Sequence, residues 1–122
     1  MSTNRLLLIY DADTGFLAAA LDSARKLLDA NPCALCSITH GLFGERPAYR
    51  RWRRSVEAEV VTLHRDELDA ELRADAGPLP AVLAESPEGR HVLLGPDELD
   101  ACRGDVKRFA AMLREAQDRR AS

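Results

Sequence analysis

Leu6-Leu7-Leu8-Ile9-Tyr10, closed by Asp11, is a short continuous apolar run. It reads as a central β-strand covered on both faces, because no polar residue alternates with the apolar ones. Working outward, Asp13 or Thr14 caps a helix whose apolar positions Phe16, Leu17, Ala20, Leu21, Ala24, Leu27 and Leu28 recur at helical spacing. Asn31-Pro32 stops it near Ala30. Pro47 suits the first turn of another helix, reaching about Val56 and carrying Tyr49 and Trp52. Val60-Val61-Thr62-Leu63 reads as the second strand, within Glu59–His64, and Asp66 caps a short helix holding Leu68 and Leu72 and closed by Gly77. Ala81–Glu85 and His91–Leu94 are two more strands, and the turn formers Ser86-Pro87-Glu88-Gly89 between them predict an antiparallel hairpin. Asp105 caps a final helix with Val106, Phe109, Ala110, Leu113 and Ala116 on one face, and the tail from Asp118 to Ser122 is expected to fray.

The predicted order is β-α-(insert)-β-α-β-β-α in one domain spanning residues 1–122. A strand joined through a helix to the next strand makes a right-handed parallel pair. The hairpin then supplies the antiparallel half of a mixed four-stranded sheet flanked by helices, with a helical insert after the first helix. This α/β order resembles a minimal thioredoxin fold. Leu79-Pro80, just before the third strand, stands where that fold keeps a cis-proline, and the resemblance implies a cis bond there.

Composition narrows the function classes. The charged share is 30%, the hydrophobic share 46%, and the net charge −3, as in an ordinary globular domain. A general binder of nucleic acid or acidic membranes would be strongly basic, so neither partner is expected. The first apolar run is far too short for a signal sequence or a spanning helix. The expected setting is therefore the reducing cytoplasm, where the three cysteines should not form structural disulfides. In that compartment a C-x-x-C suggests redox chemistry or metal binding.

Tyr10 to Leu17, Y-D-A-D-T-G-F-L, resembles the opening Y-D-G-x-C-x-x-C of the DCC-type thiol-disulfide oxidoreductases. Thr14 and Leu17 stand at the two cysteine positions, so the resemblance implies loss of the usual thioredoxin nucleophile. The chain is also similar to a small uncharacterised bacterial family that shares two blocks. One is Y-x-A-D-[ST]-G, here Tyr10 to Gly15, and the other is C-x-L-C-x-[IL]-T-x-G, here Cys33 to Gly41. Some members carry a GTPase label, but the phosphate-binding pattern G-x-x-x-x-G-K-[ST] is absent here.

The chemically loaded element is C-A-L-C-S-I-T-H, Cys33 to His40. Asn31 is a good N-cap and Pro32 a good first helical residue, which places Cys33 in a first turn. Free amides and the positive helix end favour a thiolate there, with a pKa below about 8.5. Cys33 would attack, Cys36 would resolve, and His40 would aid proton transfer, with an unidentified protein or small thiol as partner. Ile38-Thr39 are poor helix residues and Gly41 follows, so this helix should last one or two turns. The preceding helix carries the chain roughly 24 Å from the end of the first strand. The pair would then lie at the opposite edge of the sheet from Pro80, as a displaced site.

A rival reading uses the same residues for zinc. Cys33, Cys36 and His40 form C-x2-C-x3-H, and His91 opens the fourth strand at a suitable edge to be the fourth ligand. In that case the protein is a small metal-binding or partner-binding module. A third reading leaves the cysteines as small buried hydrophobes.

Two further groups stand out. Asp11, Asp13, Thr14, His64 and Pro80 are expected at one edge of the sheet, where they could line one cleft outside the carboxyl ends of the parallel strands, the default ligand place in α/β sheets. Asp11 and Asp13 resemble the paired aspartates of haloacid-dehalogenase-type phosphatases, D-x-D-G-[TV], but here Thr14-Gly15 reverses the order. A turn aspartate and a helix cap is the plainer reading. Arg50, Arg51, Arg53 and Arg54, with Arg46, form a basic band that suits an anion or acidic partner, or else a solvated helix face with Tyr49 and Trp52 packed inward. Thr14→Ala should cost about 0.5–2 kcal/mol through loss of a cap, read by urea unfolding, with function retained at matched stability.

Overall fold

The computed structural model describes residues 5–11, 34–41 and 44–121. The predicted helix from Phe16 to Ala30, its caps Asp13 and Thr14, and the Asn31-Pro32-Cys33 segment lie outside the described residues. Strand β1 (Arg5–Tyr10) is followed by α1 (Ala34–Thr39), a small hairpin β2 (His40–Gly41) and β3 (Gly44–Glu45), and α2 (Pro47–Ser55). Then come β4 (Glu59–His64), a 3-10 turn at Arg65–Glu67, α3 (Ala70–Ala76), β5 (Ala81–Ser86), β6 (Gly89–Leu94), α4 (Pro96–Ala101) and α5 (Val106–Ala121).

The main sheet has four strands in the order β4-β1-β5-β6. β1 runs parallel to β4, with Arg5 opposite Glu59 and Tyr10 opposite His64. It runs antiparallel to β5, with Arg5 opposite Glu85 and Ile9 opposite Ala81. β5 and β6 close as the expected hairpin, Ser86 pairing with Gly89 so that Pro87-Glu88 make the turn. Gly89 takes φ +131°, a conformation a residue with a Cβ rarely adopts, so glycine is required there. Leu79-Pro80 is cis, as the resemblance implied, and Pro80 is buried.

β1 is buried on both faces, as its unbroken apolar run predicts. Leu6, Leu8 and Tyr10, with Val82 and Ala84 of β5, face a core built with Leu35 and Ile38 of α1, Tyr49 of α2, Leu99 of α4 and Phe109 and Leu113 of α5. Leu7 and Ile9, with Ala81 and Leu83, face the other way against Leu68, Leu72 and Ala76. β4 alternates in the same sense: Val60 packs on the first core, Val61 and Leu63 on the second.

Three local features differ from the reading of the sequence. The cap of α3 is Asp69, not Asp66: its Oδ1 accepts from the Leu72 amide at 2.8 Å, and Gly77 at φ +67° closes the other end. The stretch before it is the 3-10 turn, where the Glu67 carboxylate reaches back to accept from the His64 amide at 2.8 Å. α4 was not anticipated; Pro96 opens it, and Glu98 accepts from the Gly95 amide at 2.8 Å. The tail, expected to fray from Asp118, is helical as far as Ala121. The Asp105 cap holds, its Oδ1 accepting from the Lys107 amide at 2.9 Å.

Phe109 is fully buried, and its ring meets Trp52 edge-on with centroids 5.0 Å apart. Phe109→Ala should therefore cost about 3–5 kcal/mol in chemical unfolding and alter Trp52 emission in the folded baseline. A loss below about 1 kcal/mol would show that this face is not a packed core.

Candidate functional site

Cys33 lies outside the described residues. Cys36 falls within α1 and His40 opens β2, directly after it. The segment carrying them is anchored by its neighbours. Leu35 and Ile38 are fully buried beside β1, and so is Thr39. The Thr39 hydroxyl donates to the Leu35 carbonyl at 3.2 Å and lies 2.7 Å from the Tyr10 hydroxyl. Thr39 has one proton to give, so Tyr10 donates to Thr39 Oγ1. The Arg46 amide donates to the Thr39 carbonyl at 2.8 Å, and its guanidinium donates to the carbonyls of Ile38 and Gly104. Arg46 thus ties the carboxyl end of α1 to the loop between α4 and α5. It is not part of a solvated basic band.

The third cysteine has a different environment. Cys102 is fully buried, with its thiol 3.4 Å from the Glu98 carbonyl and 3.5 Å from Met112 Sδ. Burial pushes its pKa up, Asp105 adds to the rise, and Arg108 opposes it. A protonated, enclosed thiol is a poor nucleophile.

His91 lies on β6 opposite Ala84, and so toward the amino end of β1, where Ala84 also meets Leu6. Among the described residues, no three His, Cys, Asp or Glu side chains are grouped to hold a metal ion.

At the carboxyl end of β1 the structure brings together three of the five predicted cleft residues; Asp13 and Thr14 lie outside the described residues. Asp11 follows the strand, His64 sits opposite Tyr10, and Pro80 precedes Ala81, the partner of Ile9. Asp11 is paired with Arg65 at 3.2 Å. Glu67 is the residue that sequence reasoning missed. Its Oε1 accepts from the His64 amide at 2.8 Å and lies 2.6 Å from His64 Nδ1. An ionised carboxylate only accepts, so His64 Nδ1 carries the proton of that bond and donates it to Glu67. The Tyr10 ring meets the imidazole edge-on at 5.6 Å. The arrangement can orient an imidazole for proton transfer. The pattern His-x-x-Glu at a strand end, which resembles a capping box, was the available signal.

At the other end of the sheet, a cleft of about 720 Å³ is lined by Arg5, Glu59, Glu71, Asp75, Glu85 and Arg90 among others. Arg90 bonds Glu85 at 2.9 Å and Asp75 at 3.1 Å, and Arg5 also pairs with Glu85. The Arg90 hydrogen bond holds the Glu85 carboxyl below its usual range, with help from Arg5 against partial burial. These pairs staple β1, β5 and β6 together with α3.

On α2, Tyr49 is buried and Trp52 half-buried, stacked on each other at 5.8 Å, while Arg53 lies over the Tyr49 ring at 5.5 Å. Arg50, Arg51 and Arg54 are exposed. No helix among the described residues is long and apolar enough to cross a membrane. No family model, curated protein or solved structure matches the chain.

The Glu67 carboxyl is held below the ordinary value of 4.5, chiefly by the hydrogen bond from the His64 side chain and then by the one from its amide. A depressed folded pKa stabilises above the unfolded value and is lost as pH falls through the folded one. Glu67→Gln should therefore be less stable than the parent at pH 7, with the gap closing below pH 4.5 in parallel thermal unfolding. A gap independent of pH would remove the assigned role of the carboxylate.

Proposed function

We propose that the chain is a thioredoxin-like cytoplasmic protein that exchanges thiols and disulfides, or senses thiol oxidation, through a displaced Cys33-x-x-Cys36 pair. The observation that carries this reading is the sheet. The strand order β4-β1-β5-β6, with β4 parallel and β5 antiparallel to β1, is the order expected of that fold, and Pro80 stands at the carboxyl end of β1. Further support is the anchoring of α1, which carries Cys36, against the central strand. Position alone argues for displacement, because Thr14 and Leu17 occupy the places where the resembling oxidoreductases carry cysteines.

The chemistry balances without a cofactor. The Cys33 thiolate attacks one sulfur of a partner disulfide, forming a mixed disulfide and expelling a thiolate. The Cys36 thiolate then attacks Cys33 sulfur and releases the second partner thiol. The protein ends as a disulfide and the partner as two thiols.

In reduced, metal-free protein, iodoacetamide at neutral pH should label Cys33 before Cys36, and Cys102 slowest by at least about tenfold. Diamide should join Cys33 to Cys36, read by peptide mapping. Fastest reaction at Cys102, or no such disulfide in folded protein, would overturn the redox reading. Stoichiometric zinc in protein purified without a histidine tag would favour the alternative in which Cys33, Cys36, His40 and His91 hold a metal.

A further inference from the structure

We propose that Arg51 and Arg54 on α2 form a docking surface for a carboxylate-rich segment of a partner protein. α2 carries four arginines and no acidic residue, in a chain whose net charge is −3. Its positive charge is therefore local, and opposed by the rest of the molecule. The structure sorts these arginines. Arg53 lies over the Tyr49 ring, whereas Arg51 and Arg54 are exposed and make no ion pair among the described residues. Glu57 follows Arg54 by three residues, yet the two are not paired.

Spacing defines the ligand. Residues three apart on a helix stand on one face with Cβ atoms about 5–6 Å apart. In an extended chain, alternate side chains lie about 6.5–7 Å apart on one side. A segment of the form acid-x-acid can thus present one carboxylate to each guanidinium, whose fork donates two parallel hydrogen bonds to it. Arg50, also exposed, adds to the field.

Two other occupants fit less well. A single-stranded nucleic acid needs an aromatic face for base stacking. Trp52, the aromatic among these arginines, is engaged by Tyr49 on one side and Phe109 on another. A second copy of the chain could offer the acidic cleft at the far end of the sheet. Two of its carboxylates, Glu85 and Asp75, are already committed to Arg5 and Arg90.

The test measures fluorescence anisotropy of a labelled poly-glutamate peptide, and of a labelled single-stranded oligonucleotide of equal charge, titrated with the full chain. Salt is varied between about 0.01 M and about 0.15 M, across which the screening length falls from about 30 to about 8 Å. The peptide should bind at low salt and weaken at least about tenfold at the higher salt. R51E/R54E should abolish binding while leaving the circular dichroism and melting temperature unchanged. R108E/R114E, the same charge change on exposed positions of α5, should shift affinity by less than about twofold. Equal loss in both variants, or retention in R51E/R54E, would overturn the proposal. So would tighter binding of the oligonucleotide, or a concentration-dependent dimer that R51E/R54E dissolves. None of these outcomes bears on the thiol chemistry, which iodoacetamide reads separately.

Discussion

Five consecutive residues of β1, Leu6 to Tyr10, are each no more than 2% exposed. Strand side chains alternate, so this burial cannot be met by one layer of helices, and both sheet faces must be covered along their centre. Each such side chain gives about 1.5–3 kcal/mol on full burial, an upper figure because the unfolded chain already hides some of its surface. Together they rival the whole net stability of a typical domain, about 5–15 kcal/mol. The backbone of β1 is equally constrained. It has β4 on one side and β5 on the other along its length, which leaves its polar groups paired inside the sheet. The parallel partner requires a crossover and the antiparallel partner does not. Much of the topology follows from that difference.

Tyr10 is the point where this constraint meets the candidate chemistry. It ends the strand facing the first core, and its hydroxyl would be costly there without a partner. Thr39 Oγ1 supplies the acceptor and its hydroxyl donates in turn to the Leu35 carbonyl, making a short hydrogen-bonded chain from strand to helix. A β-branched residue at the end of a helix is a poor choice by propensity. Here the hydroxyl outweighs propensity, because it satisfies two buried groups at once. The Arg46 amide then takes the Thr39 carbonyl, and its guanidinium reaches Gly104. The short helix bearing Cys36 is thus held from the sheet side and from the α4–α5 loop, without relying on its own six residues for stability.

The sheet was legible in the sequence because short, largely apolar runs and turn chemistry agree there: Leu6–Tyr10 at β1, Val60–Leu63 at β4, Ala81–Leu83 at β5, and Pro87-Glu88-Gly89 at the hairpin. The helix ends were less so. Asp66 and Asp69 are both acceptable caps, and what separates them is three-dimensional: Glu67 is drawn back to His64, so the chain does not become helical until Ala70. Gly95-Pro96 reads as a break, yet proline is favoured in a first turn and Glu98 caps from within. The candidate cleft was half legible. Asp11, His64 and Pro80 follow from strand ends, but the carboxylate that fixes the imidazole is visible only once the 3-10 turn folds it back. The reading of Cys33, Asp13 and Thr14 stands on sequence alone.

The arginines show why a charge run cannot be read as a uniform surface. In sequence, Arg46, Arg50, Arg51, Arg53 and Arg54 form one band. A guanidinium is tolerated inside a fold only when its donors find acceptors, and the end of α1 together with the α4–α5 loop offers carbonyls at one place. Arg46 occupies that place and becomes a structural clasp. Arg53 instead lays its charge over an aromatic ring, an attraction that also covers part of Tyr49. Once these internal demands are met, Arg51 and Arg54 have no task among the described residues that would require a positive charge. Lysine or glutamine would serve a solvated helix face as well, since their helix propensities are close to that of arginine. The property that distinguishes arginine at such a position is its planar, five-donor fork, and that property matters only toward a planar acceptor. The fold, by engaging Arg46 and Arg53, leaves Arg51 and Arg54 as an exposed pair one helical turn apart.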